Sequence, residues 1–178
     1  MGCQPKFPLA KFPTTLVLGG ARSGKSRYAE GLVQAMPGPW VYVATGQAFD
    51  DEMRARIALH RAGRSDGWRT VEAPLSLDGA LAGAAPVLVD CLTLWVSNLL
   101  HAEADVGAEG ERLVEILKDR RGPTVLVSNE VGMGIVPENA LARAFRDAAG
   151  RLHQRLASVA DRVVLVVAGL PLIVKDLG

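Results

Sequence analysis

The chain has 178 residues, enough for one domain that buries its own core without metal or disulfide staples. It is 49% apolar and 22% charged, a soluble globular profile, and a formal net charge of +1 excludes the basic footprint of a nucleic-acid binder. Cys3 and Cys91 are too few for a disulfide framework and no apolar run spans a membrane, so the expected setting is the cytoplasm with both thiols reduced.

Residues 1–13, M-G-C-Q-P-K-F-P-L-A-K-F-P, carry three prolines, no signal-peptide core and no Ser or Thr at the position a myristoylation signal needs. They read as a disordered leader before a single domain over 14–178. T-T-L-V-L at 14–18 is a short β-branched run, hence a buried strand, and 25–35 has helical composition stopped by Met36-Pro37-Gly38-Pro39. A second strand is expected at 40–45. A helix follows over 50–62, with Asp51 and Glu52 in the turn where the helix dipole favours acids. A short strand at 68–72 and another at 86–90 (P-V-L-V-D) precede an apolar helix over 92–101.

A helix over 108–121 is expected to end at Gly122 in a left-handed C-cap. T-V-L-V-S at 124–128 is a strand. The helix at 138–160 carries an apolar stripe of Leu141, Phe145, Ala148, Leu152, Leu156 and Val159. The run at 163–168 closes the pattern, with a short edge strand at 172–174. Continuous apolar strands alternating with helices predict an α/β fold: a mainly parallel sheet with helices on both faces.

Between the first strand and the first helix, Gly19, Gly20, Ala21, Arg22, Ser23, Gly24, Lys25 and Ser26 match G-x-x-x-x-G-K-[ST]. Glycines let the loop turn its N–H groups toward phosphate oxygens, Lys25 neutralises the outer phosphates, and the Ser26 hydroxyl suits Mg²⁺. A Gly-rich turn could match by chance. The strand before and the helix after are the context the motif requires, and they identify the single-domain P-loop NTPase fold. A metal-side acid is also expected at the end of a neighbouring strand. Asp90 has that position, with helix capping as its plainer role, and Glu130 is a second candidate.

Further motifs follow in order: V-A-T, D-D-E-M-R-A-R-I-A-L-H, W-R-T-V-E, D-C-L-T-L-W-V-S-N-L-L and V-S-N-E-V-G-M-G-I-V-P-E-N. Together with the phosphate loop, and over about residues 16–175, the chain resembles the bifunctional adenosylcobinamide kinase / adenosylcobinamide-phosphate guanylyltransferase family of cobalamin biosynthesis. The resemblance implies phosphorylation of adenosylcobinamide by a nucleoside triphosphate, followed by transfer of GMP from GTP through a guanylyl-histidine. ATP and GTP would be substrates and Mg²⁺ the metal, with Ser26 and Asp90 beside it.

The matching histidine is His60. Spacing alone, three and seven residues beyond Ile57 and Met53, would favour a buried core histidine. The resemblance instead assigns it the nucleophile, a role a neutral imidazole fills near pH 7. It also implies that Ala44, Thr45, Gly46, Arg61, Ala62, Gly63, Arg64 and Glu72 lie against the nucleotide, and that the chain forms a homo-oligomer, a trimer. The plainer readings are a solvated helix end for Arg61 and Arg64, and an ordinary strand-end carboxylate for Glu72. His101 and His153 read as structural or solvent-facing; His153 stands where the family pattern would have Asn.

Two other functions compete. A plain P-loop kinase leaves His60 without work. A GTP-binding switch needs an N-K-x-D motif that is missing, and the D-x-x-G matches at 119–122 and 147–150 fall in or at the ends of helices.

Overall fold

The computed structural model describes residues 13–47 and 66–177. The leader and the helix expected at 50–62 lie outside these, apart from Pro13. The described elements are β1 (Thr14–Gly19), α1 (Lys25–Gln34), β2 (Trp40–Ala44), β3 (Trp68–Glu72), β4 (Val87–Asp90) and α2 (Leu92–His101). Then come α3 (Val106–Asp119), β5 (Thr124–Asn129), α4 (Ala140–Val159), β6 (Arg162–Val167) and β7 (Leu170–Asp176).

They build one seven-stranded sheet in the order β3-β2-β4-β5-β1-β6-β7. Six strands are parallel; β7 returns antiparallel on β6. Successive strand residues feed opposite faces, which is why the central strands are mostly apolar, with Thr14, Thr15, Thr124 and Ser128 buried among them. Leu16, Val87, Val89, Leu126 and Val163 pack with Trp95 and Leu99 of α2, Leu113 of α3, and Leu152 and Leu156 of α4. On the other face Val17, Leu88, Val125, Val127 and Val164 meet Ala29, Leu32 and Val33 of α1. Burying each of these larger aliphatic side chains contributes about 1.5–3 kcal/mol. Among the described residues, no helix is long and apolar enough to cross a membrane.

Local chemistry moves several expected boundaries. Asp105 Oδ1 accepts from Gly107 N and Ala108 N at 2.8 and 3.1 Å, so α3 starts two residues earlier than composition suggested. Asn139 caps α4 in the same way, at 2.7 and 3.2 Å from Leu141 N and Ala142 N. Of the stripe on α4, Ala148, Leu152 and Leu156 are buried, Phe145 packs half-buried against them, and Leu141 is 60% exposed. Gly122 is not a left-handed cap, because α3 ends at Arg120 in extended backbone. Gly122 is required for a different reason: a Cβ there would lie 2.5 Å from the Ala84 carbonyl oxygen. The last strand is longer than expected, since β7 pairs along all of β6 across the Ala168-Gly169 turn.

Candidate active site

All six parallel strands end on one edge of the sheet, and the phosphate loop rises from its middle. Gly19 is enclosed: a Cβ there would sit 2.5 Å from Ser23 Oγ and 2.7 Å from the Val166 carbonyl oxygen. The loop closes with Ser23 N donating to Gly20 O at 3.3 Å, and the β6–β7 turn holds it from the side through Gly169 N donating to Ser23 O at 2.8 Å. Ser23 Oγ is buried and makes no hydrogen bond. Gly24, at φ 92°, is the N-cap of α1 and offers no side-chain cap. The first N–H groups of α1 are therefore left for an anion, reinforced by the positive end of the helix dipole. Lys25 is 8% exposed, with Nζ donating to Gly20 O at 3.2 Å, so its charge is folded over the loop. Ser26 follows, half-buried, in the first turn.

The strand order refines the search for the acid. The strand next to β1 is β5, and β4 is one further out, so Asp90 stands two strand spacings, about 10 Å, across the sheet from β1. Asp90 does not cap α2, whose N-cap is Cys91 without a side-chain bond. Its carboxylate instead accepts from Tyr42 Oη at 3.1 Å. Burial and the neighbouring Asp90 carboxylate push the Cys91 thiol up, while Thr93 and the Lys25 charge pull the other way.

Beneath that floor lies a brace the sequence did not announce. Thr45 was expected against the nucleotide. It is fully buried, with Oγ1 donating to Cys91 O at 2.7 Å and accepting from Cys91 N at 2.9 Å, so its side chain supports the crevice from below. Asn98 reaches from α2 to the Thr45 and Pro74 carbonyls at 2.7 and 2.9 Å. Asn129, at the end of β5, donates to Thr93 Oγ1 at 2.8 Å. Ala44 is half-buried and in register with both Glu72 and Asp90, which puts these three ends on one rim. Gly46 follows, half-buried, and Glu72 is exposed. His60, Arg61, Ala62, Gly63 and Arg64 lie outside the described residues.

Glu130 is the acid that leaves the strand beside the loop. Its N–H donates to Gly19 O at 3.0 Å, and Oε1 accepts from Gly132 N at 2.5 Å. His153 of α4 is buried behind it, with Nε2 2.7 Å from Ser128 Oγ and Nδ1 3.9 Å from Glu130 Oε2. Burial lowers the His153 pKa and the Glu130 charge partly restores it. His153 is buried and not solvent-facing, whereas His101 is exposed on the last turn of α2. Only the topology brings Asn129, Tyr42 and the Gly169 turn to the site; a clue to Asn129 and Glu130 was their place directly after an apolar run.

Among the described residues, no cluster of three His, Cys, Asp or Glu is placed to cage a metal. A hydroxyl at Ser26 and a strand-end carboxylate suit an ion such as Mg²⁺, which keeps water and takes its other oxygens from phosphates. A depression of about 520 Å³ at the opposite edge is lined by Asp78, Leu81, Gly83, Ile116 and Arg120. There the Arg120 guanidinium is spent on the Leu81, Gly83 and Ala85 carbonyls and on Thr124 Oγ1, which makes that region scaffold.

The family described as cobinamide kinase / cobinamide phosphate guanyltransferase matches residues 15–174. The chain is 49% identical over 166 residues to the bifunctional adenosylcobalamin biosynthesis protein CobP of Pseudomonas aeruginosa, covering 90% of this chain and 96% of the relative. It is 47% identical over 179 residues to the bifunctional adenosylcobalamin biosynthesis protein CobU of Salmonella typhimurium, covering 90% and 98%. Among solved structures, the assembled ATPase EscN of the enteropathogenic E. coli type III secretion system is similar at a TM-score of 0.56 and 9% identity, over 88% of this chain and 43% of that one. That likeness shows the P-loop fold alone. The chain belongs to the cobinamide kinase / cobinamide phosphate guanyltransferase family and is an enzyme of that bifunctional class.

Proposed function

We propose that this member of the cobinamide kinase / cobinamide phosphate guanyltransferase family phosphorylates the aminopropanol hydroxyl of adenosylcobinamide with a nucleoside triphosphate. It then joins GMP from GTP to the new phosphate, giving adenosylcobinamide-GDP and pyrophosphate. The observation that carries this reading is the uncapped start of α1 with Lys25 folded across the loop from Gly19 to Gly24, in a chain matched to the family over 15–174.

In the kinase step the acceptor hydroxyl oxygen attacks the γ-phosphorus and gives up its proton to solvent, while the bond to the bridging oxygen breaks and releases the diphosphate. The loop N–H groups and Lys25 bind and orient the phosphates and offset the charge on the leaving oxygen. Ser26 and Asp90 would hold Mg²⁺, directly or through water, with Glu130 the alternative acid. The metal, when bound, supplies charge neutralisation on the phosphate oxygens. In the second step a nitrogen of His60 attacks the α-phosphorus of GTP and pyrophosphate leaves. The substrate phosphate then attacks the same phosphorus and frees the histidine. Ala44, Gly46, Glu72 and the 61–64 segment would line the nucleotide, and Thr45 would hold that rim in place. The working unit is a domain over 14–178 in a cytoplasmic homo-oligomer, a trimer.

Incubation with α-labelled GTP tests the covalent step. Label that is acid-labile and base-stable, and absent from His60→Ala, is expected. A folded His60→Ala protein that forms adenosylcobinamide-GDP at the normal rate would refute it.

A further inference from the structure

Beyond the nucleotide groups, the phosphate loop has an apolar neighbour that the reactions so far leave unused. The seven residues after Glu130, V-G-M-G-I-V-P, contain no charge. Met133 is 78%, Ile135 97% and Val136 63% exposed. Three large apolar side chains standing together in water on a short loop mark an interaction surface. Its position says what interacts. The segment leaves the strand directly beside the phosphate loop, and Glu130, the residue before it, is tied to that loop by its N–H on Gly19 O. The Glu130 carboxylate on Gly132 N then sets the turn. An acceptor bound at the strand-end edge beside the phosphate loop would therefore have this segment as its neighbour.

We propose that Met133, Ile135 and Val136 form the platform on which the macrocyclic face of the corrinoid acceptor rests. This rests on the kinase and guanylyltransferase reading above. A cobinamide combines a broad apolar ring with a periphery of neutral amide groups. An uncharged, apolar loop meets the ring without desolvating any ionised side chain. The backbone around Gly134, where even an added Cβ would meet nothing within 4 Å, leaves room for the peripheral amides to bond to main-chain groups. A docking segment anchored to Gly19 also fixes the reacting hydroxyl relative to the phosphates, which is how acceptor binding becomes orientation.

The experiment is steady-state kinase kinetics on full-length protein with ATP and adenosylcobinamide. It compares the wild type, Met133→Ser/Ile135→Ser, and the control Leu172→Ser, with melting temperature and sedimentation on each. Leu172 is an exposed apolar residue on β7, at the far side of the sheet from β4 and β3. The double variant is expected to raise the corrinoid KM about tenfold or more, equivalent to a loss of about 1.4 kcal/mol or more. Its ATP KM, melting temperature and assembly mass should stay at the wild-type values, as should both KM values in the control. Unchanged corrinoid KM in the double variant, with an active wild type, overturns the platform and leaves the proposed function standing. A fall in assembly mass without a change in corrinoid KM makes the patch a contact between copies and also overturns it. Wild-type protein that phosphorylates no cobinamide removes the functional reading and the platform with it.

Discussion

Replacing Gly24 by alanine separates a backbone that must be left-handed from a loop that is merely glycine-rich. Gly24 sits at φ 92°, ψ 3°, as the N-cap of α1. A left-handed conformation costs an L-residue about 1–2 kcal/mol. The new Cβ would also lie 3.2 Å from Gly169 Cα, main chain that is itself held by its bond to Ser23 O. That neighbour cannot swing aside like a flexible side chain, so the combined loss is about 2–3 kcal/mol. For a chain of this size it lowers Tm by about 4–12 °C. Gly20, four residues earlier in the same loop, has no positive φ and nothing within 4 Å of an added Cβ. Gly20→Ala should stay within about 0.5 kcal/mol of wild type. The assay is calorimetry of both variants without nucleotide, followed by titration of Gly24→Ala with GTP. Because the strain falls on the residue that opens the uncapped turn, GTP affinity should drop about tenfold or more. Equal melting temperatures for Gly20→Ala and Gly24→Ala would refute the reasoning.

Lys25→Ala should weaken nucleotide binding by about 1.5–3 kcal/mol and suppress both reactions, because one cation serves the same polyphosphate; near-normal kinase turnover would count against the loop. Asp90→Asn should raise the Mg²⁺ concentration needed for half-maximal activity with the fold intact, and an unchanged metal titration would move that role to Glu130. His153 has its folded pKa below the ordinary 6.5, so the unfolded chain takes up the proton first. Stability from His153 is thus full above that value and is lost as pH falls below it toward the folded pKa; His153→Asn should flatten that part of the stability–pH curve. Arg120→Met should destabilise by about 1.5–3 kcal/mol through the carbonyls it leaves without a donor, while both KM values hold.

Much of this protein is written along the chain. Apolar, β-branched runs such as T-T-L-V-L and T-V-L-V-S declare strands buried on both faces, because a covered sheet takes the residues of both its faces out of water. The eight residues from Gly19 to Ser26 declare a phosphate loop for a local reason: backbone conformation, a cation and a hydroxyl are supplied by adjacent positions. The family motifs then extend the reading to nearly the whole chain.

What the chain does not carry locally is which strand lies beside which. A buried strand has the same composition whatever its neighbours, so nothing in T-V-L-V-S announces that β5 is inserted between β1 and β4. That insertion brings Asn129 and Glu130 beside Gly19 and sets Asp90 one strand further out. The same holds for Thr45, whose hydroxyl is bonded to both the N–H and the carbonyl of Cys91, a partner 46 residues away in the chain. Gly122 looks like a helix cap until Ala84 is found where its Cβ would be. Sequence determined the elements and the loop, whose causes lie within a few residues of each other. Only the tertiary structure decided which ends share the crevice, because strand order and close approach arise from contacts between residues far apart in the chain.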